Sequence, residues 1–181
     1  MDNLGDPVAG SAGPDIESWV SAFRVPRADT MELPPHHPHC LGCGPANPHG
    51  HQLAVQREQN GVIAHHRFDE RHVGAPGIAH GGAVATVLDD LFGFLLYTVG
   101  ELAVTRRLEI DYRAPVLLAN PYVLRAGVRG RVGRKLDLTA TMNDSEGRSV
   151  ATATALFIVV ELDHFVRSQA DLRGEHCSDG Q

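Results

Sequence analysis

From Gly81 to Val99 the chain is apolar at almost every position, broken only by Thr86, Asp89, Asp90 and Thr98. A helix that is hydrophobic all round has to be buried on nearly every face. On both sides of this stretch the pattern changes to the two-residue period of strands. Gln52 to Glu58 and Val62 to Phe68 flank Gln59-Asn60-Gly61, and Asn-Gly between such runs predicts a hairpin. Leu108, Ile110 and Tyr112 alternate with Arg107, Glu109, Asp111 and Arg113. Pro115 and Pro121 bracket a turn before Tyr122 to Arg131. Leu136, Leu138, Ala140 and Met142 alternate again, 143–147 turns, and Val150 to Val160 is a long β-branched run. The order reads β-β-α-β-β-β with antiparallel connections, an α+β class.

At roughly 18 residues the apolar segment is long enough to cross a bilayer. Two adjacent carboxylates at its middle argue against that, since each costs about 2.5–3.5 kcal/mol at the bilayer centre. A sheet wrapped around the helix solves the burial problem in water. The expected architecture is therefore the hotdog arrangement, five strands around one long central helix.

The flanks read differently. Residues 1–38 form a tail rich in Gly, Pro, Asp and Ser; Ile16, Trp19, Val20 and Phe23 behind Asp15 predict a short helix in it that docks on the domain. The domain itself is expected over 39–162, with a polar tail at 163–181. Sixteen Lys and Arg against 22 Asp and Glu give a net charge of −6, so no basic stretch exists to track a nucleic-acid backbone. Three cysteines do not make a disulfide framework, and the acidic opening MDNLGDPVAG lacks the apolar core of a signal peptide. A cytoplasmic protein without nucleic-acid or membrane partners is the expectation.

Candidate chemistry concentrates in Gly77-Ile78-Ala79-His80-Gly81-Gly82-Ala83, which opens the helix, and in Asp89-Asp90. The first amides of a helix lack intrahelical partners and carry partial positive charge. Two glycines there let a carbonyl oxygen come close, although glycines also simply relieve crowding where helix meets sheet. At least one of the aspartates has to sit among Val87, Leu88, Leu91 and Phe92, where burial raises a carboxyl pKa. No Lys or Arg within 81–99 can pair with it.

The chain resembles the hotdog-fold acyl-CoA thioesterases, in the branch of phenylacetyl-CoA thioesterase and its long-chain acyl-CoA relatives. Four pieces over roughly 40–160 carry the resemblance: Cys40-Leu41-Gly42-Cys43-Gly44 with Asn47-Pro48; Gly74 to Gly82 and on to Asp89; Thr105 to Pro115; and Gly133-Arg134-Lys135 with Glu146-Gly147-Arg148. The resemblance implies a catalytic acid nine positions after the His of His-Gly-Gly, at Asp89, with Gly81 as oxyanion donor and Thr105 holding the attacking water. Where many relatives carry Asn or Gln this chain has Gly74, so that role passes to His80 or to the loop backbone. His80 is counted with the catalytic group. Gly82 and, for the CoA phosphates, Arg131, Arg134 and Lys135 are the substrate-binding candidates. Phe92, Phe94 and Leu95 are core residues first and acyl-tunnel candidates second.

Gly81 and Asp89 lie eight residues apart, about 12 Å along a helix. One thioester cannot meet both on one helix, whereas two antiparallel helices bring each donor to the other's acid. The resemblance implies such a homodimer, which could pair further into a tetramer. The expected activity is acyl-CoA hydrolysis in fatty-acid metabolism without a cofactor, Asp89 serving as base or as nucleophile. A non-catalytic acyl-CoA binder is the alternative from another class; a CoA-ester dehydratase would pair Asp and His on a different motif. Cys40 and Cys43 lie among His36, His37, His39, His49 and His51, but a structural zinc site normally needs a second Cys pair or a standard Cys–His spacing, and Cys177 is remote. No metal is expected.

Overall fold

The computed structural model describes residues 16–25, 28, 30–161 and 163. The expected tail residues 1–15 and 164–181, Cys177 among them, lie outside the described residues. In chain order the elements are α1 (Ile16–Phe23), β1 (Val55–Glu58), β2 (Gly61–His66), β3 (Val73–Ala75), β4 (Ile78–Ala79), α2 (Gly81–Phe94), α3 (Leu96–Val99), β5 (Ala103–Tyr112), β6 (Tyr122–Val132), β7 (Lys135–Asn143) and β8 (Ser149–Val159). Among the described residues the main sheet has six strands in the order β1-β2-β6-β7-β8-β5, and each recorded pairing is antiparallel. It curls around α2 in the hotdog arrangement.

Two expectations about elements need correcting. Four strands follow the helix rather than three, because each of the four alternating stretches after Val99 is long enough to form its own. The sheet therefore has six strands, not five. The helix also breaks at Leu95, whose N–H bonds to Phe92 O at 3.1 Å, so 81–99 is two helices in succession. Gly100 closes α3 in the left-handed region, φ 73°, and its N–H returns to Leu96 O at 2.8 Å.

Ala85, Thr86, Asp89, Asp90 and Gly93 are only half-buried, so α2 falls short of the all-round burial its apolar run predicts; Val84, Val87, Leu88, Leu91, Phe92 and Phe94 are buried together along one side of it. Burying each is worth about 1.5–3 kcal/mol. In β7 the inward positions are Leu136, Leu138, Ala140 and Met142, the alternation read from the sequence. Opposite the helix, β8 turns in small residues, Ala151, Ala153 and Ala155, which leave space for Phe92 and Phe157. Gly61 does not supply a turn conformation. Glu58 pairs with Gly61, so Gln59 and Asn60 make the turn, and a Cβ at Gly61 would sit 2.0 Å from Ala126 O on β6. The glycine is there for the close approach of two strands.

The two edges of the sheet are not equivalent. Along β1, Thr30 N–H reaches Arg57 O at 2.9 Å, Arg57 N–H reaches Met31 O at 3.0 Å and Leu33 N–H reaches Val55 O at 2.8 Å, so the segment before the domain covers that edge. Phe23 of α1 is buried against Tyr97, ring centroids 4.5 Å apart. The ten-residue β5 pairs only with β8 among the described residues, leaving its other edge open. Long open edges are pairing surfaces.

Candidate active site

His80 caps α2. Its backbone is extended, φ −65° and ψ 136°, and its Nδ1 accepts the Gly82 N–H at 2.8 Å. With Nδ1 accepting, a neutral imidazole carries its proton on Nε2, as a donor. The His80 N–H is held by His72 O at 2.7 Å, and Val84 N–H closes the first turn onto His80 O at 3.1 Å. Gly81 is exposed, and Tyr112 of β5 donates its hydroxyl to Gly81 O at 2.8 Å. That bond pins the helix start to the open-edge strand; the sequence had shown Tyr112 only as one position of an alternation.

Gly74 is explained by the same packing. A Cβ there would lie 2.6 Å from His80 Cα, so an Asn or Gln side chain has no room in this loop. A cleft of ≈ 410 Å³ opens beside the helix start, lined by Ile78, Gly81, Val84, Tyr112 and Arg113 among others. A second, of ≈ 440 Å³, lies farther along the β5–β6 connection near Asn120 and Arg148.

Asp89 lies half-buried on the middle of α2, and its Oδ1 accepts the Thr105 hydroxyl at 3.0 Å. Burial pushes its carboxyl pKa up, and the Thr105 bond opposes the rise. Thr105 stands beside a β-bulge, since the β5–β8 register shifts between Thr105 and Arg107. Bulges re-aim side chains beside sites.

Asp90 faces another way. Its side chain is only 9% exposed; Oδ1 lies 3.1 Å from His36 Nδ1 and accepts from Cys40 Sγ at 3.3 Å. It neither faces solvent nor bonds within its own helix. Its partner comes from outside the helix, where a search of 81–99 for cations could not find it. Cys43 Sγ lies 3.4 Å from His36 Nδ1 and accepts the His36 N–H at 3.2 Å. Burial works to lower the His36 pKa, yet the hydrogen bonds of Asp90 and Cys40 carry it up to about 9. The hydrogen bond from Cys43 draws the Cys40 thiol pKa down. These four side chains are the group among the described residues that could hold a metal ion, their ligand atoms all within 4.8 Å of one another.

The structure thus brings Asp89 and Thr105 together, and His80, Gly81 and Gly82 together, at two places on one helix. Arg131 is ion-paired to Glu101 and donates to Gly133 O at 3.0 Å. Arg134 and Lys135 are exposed at the β6–β7 turn. Phe92, Phe94 and Leu95 are fully buried in the core.

Residues 76–151 match the family model described as Thioesterase superfamily. The acyl-coenzyme A thioesterase THEM4 of Rattus norvegicus is 36% identical over 91 residues, 50% of this chain and 39% of that protein. THEM4 of Mus musculus is 36% identical over 89 residues, covering 49% and 38%. The matched part of the chain spans about two-fifths of the length of these curated relatives. Among solved structures, a thioesterase superfamily protein superposes with TM-score 0.68 at 21% identity, over 84% of this chain and 68% of that one. A hypothetical thioesterase from Streptococcus pneumoniae TIGR4, solved with coenzyme A, gives 0.56 at 21%, over 60% and 85%. That protein was also solved with an Asp→Ala and with a Thr→Ala substitution, sixteen residues apart. At these identities the structural likeness speaks to the fold.

Proposed function

We propose that the chain, whose residues 76–151 match the Thioesterase superfamily model, hydrolyses acyl-CoA thioesters to a free acid and CoA, with Asp89 as the acting carboxylate. The observation that carries this is the Asp89–Thr105 hydrogen bond, 3.0 Å long, on the strand at the open edge of the sheet. The Asp and Thr substituted in the streptococcal thioesterase stand sixteen residues apart, as Asp89 and Thr105 do.

The working unit in this proposal is a homodimer paired along β5. Half-buried Leu108 and Ile110 on that strand fit an edge that a second copy covers. The pairing sets one helix start against the partner's Asp89, which a single helix cannot do over about 12 Å. Gly81 N–H and the His80 Nε2–H then converge on the thioester oxygen, with Gly82 leaving room for it. Asp89 either takes a proton from a water held by Thr105 or attacks the carbonyl carbon itself to form an anhydride. In both routes the C–S bond breaks, CoA departs as thiolate and water supplies the new carboxyl oxygen. Arg134 and Lys135, with Arg131 if it leaves Glu101, are candidates for the CoA phosphates. A cytoplasmic location suits this substrate.

Steady-state hydrolysis of acyl-CoAs of graded chain length, by wild type and Asp89→Asn, tests the proposal. Turnover by the wild type that collapses in the variant is the expected result. Equal rates in the two proteins, or no turnover of any chain length, would overturn it. Sedimentation that returns only monomers at assay concentration would overturn the two-helix site.

A further inference from the structure

We propose that His36, Cys40, Cys43 and Asp90 form a structural zinc site that clamps the loop before β1 to the central helix. The claim is independent of the hydrolytic reading, and three of its four ligands lie outside the segment matched by the family model.

Geometry supports it first. The four donor atoms lie within 4.8 Å of one another, with His36 Nδ1 to Asp90 Oδ1 at 3.1 Å, Cys40 Sγ to Asp90 Oδ1 at 3.3 Å and Cys43 Sγ to His36 Nδ1 at 3.4 Å. Zinc bonds of about 2.0–2.3 Å arranged tetrahedrally give ligand–ligand edges of roughly 3.3–3.8 Å. Small movements of these side chains would seat an ion.

Donor chemistry selects the ion. Two sulfurs, one imidazole and one carboxylate suit zinc and exclude the oxygen-loving magnesium and calcium. Four protein donors close the coordination shell, which marks a structural rather than a hydrolytic centre.

The surroundings are fitted to the group. A Cβ at Gly42 would lie 2.2 Å from Asp90 Cγ, and one at Gly93 would lie 2.8 Å from His36 Cε1, so both glycines clear space for ligands. While Oδ1 meets the imidazole and the Cys40 sulfur, Asp90 Oδ2 is buried beside Gly42 with no hydrogen-bond partner, an acceptor with nothing to accept. A buried carboxylate beside two thiols is costly unless a cation answers it, a role that zinc would take over from the His36 imidazole. The helix residue before Asp90 is Asp89, so an ion there would hold the turn that presents the acid.

Zinc content and cobalt substitution test the site on the full chain, purified with thiols reduced and without chelator. The wild type is expected to carry about one zinc per chain. Its chelator-stripped form should take up Co²⁺ with thiolate-to-cobalt charge transfer and the strong visible bands of tetrahedral cobalt. Cys40→Ser and His36→Ala should each lose most of the zinc, whereas Cys177→Ser should keep both zinc and spectrum. Stripping the wild type should lower its melting temperature, a readout that stands even if a variant fails to fold. A wild type that holds no zinc and shows no cobalt–thiolate band overturns the site, as does a band that survives in the Cys40→Ser/Cys43→Ser double variant. A Cys40–Cys43 disulfide persisting under reduction overturns it equally.

Discussion

Asp89 and Asp90 are chain neighbours on one helix and live in different chemical worlds. Asp89 meets a single hydroxyl, Thr105, on a strand whose outer edge is open. Asp90 is enclosed by an imidazole and two thiols from a loop some fifty residues earlier. Burial raises the pKa of both, so desolvation does not distinguish them; their partners do. A lone hydroxyl leaves the carboxylate able to act on something that arrives. A ring of soft donors uses it up within the protein. The helical offset of about 100° per residue is what sends the two to different walls.

The sharpest way to break this contrast is to neutralise each acid in turn. Asp89→Asn is expected to lower kcat by about 10³-fold while the melting temperature holds, because it removes the proposed reacting carboxylate and little packing. Asp90→Asn should do its damage to stability, about 3–5 kcal/mol by urea denaturation, through a buried network left short of charge. Kinetic losses of the same size in both variants would erase the distinction. Next in size is the helix start. Gly81→Pro deletes the proposed oxyanion donor at a first-turn position that tolerates proline, after a residue already extended. Turnover should fall by about 10²-fold with helicity unchanged in circular dichroism. Thr105→Val keeps shape and removes one hydrogen bond, for a loss of about tenfold in kcat.

A smaller, pH-driven effect belongs to neither wall. Burial pushes His51 down to about 3 and His66 down to about 4, with His72 and Arg71 adding to the depression and Asp69 opposing it. In the unfolded chain these imidazoles titrate near the usual ~6.5. Unfolded protein therefore binds protons that native protein refuses, and stability is full above about pH 6.5 and falls as the pH drops toward 4. The expected loss is about 1 kcal/mol per imidazole by pH 5.5, read from urea midpoints. If stability is flat across that range in an Asp90→Asn background, the histidine layer is not the source of acid sensitivity.

Patterning alone reached the hotdog arrangement, the inward face of β7 and the helix that opens at His80-Gly81-Gly82, because the periods of helix and strand are local properties of the chain. It undercounted the strands after the helix and ran α2 and α3 together, since a break of one residue at Leu95 leaves no mark in an apolar run. It assigned Gly61 to turn geometry, when the reason was the carbonyl of Ala126 on a strand more than sixty residues away. It could not place Asp90 beside the Cys-x-x-Cys loop, since the carboxylate that meets Cys40 stands fifty residues along the chain.

What the amino-acid order determined by itself was where apolar surface must be hidden and which polar groups interrupt it, for hydration depends on each side chain alone. Which of two adjacent carboxylates meets a hydroxyl and which meets sulfur was decided only in three dimensions. Contacts between distant segments arise from how the sheet closes around the helix, and nothing in a run of neighbouring residues encodes that meeting.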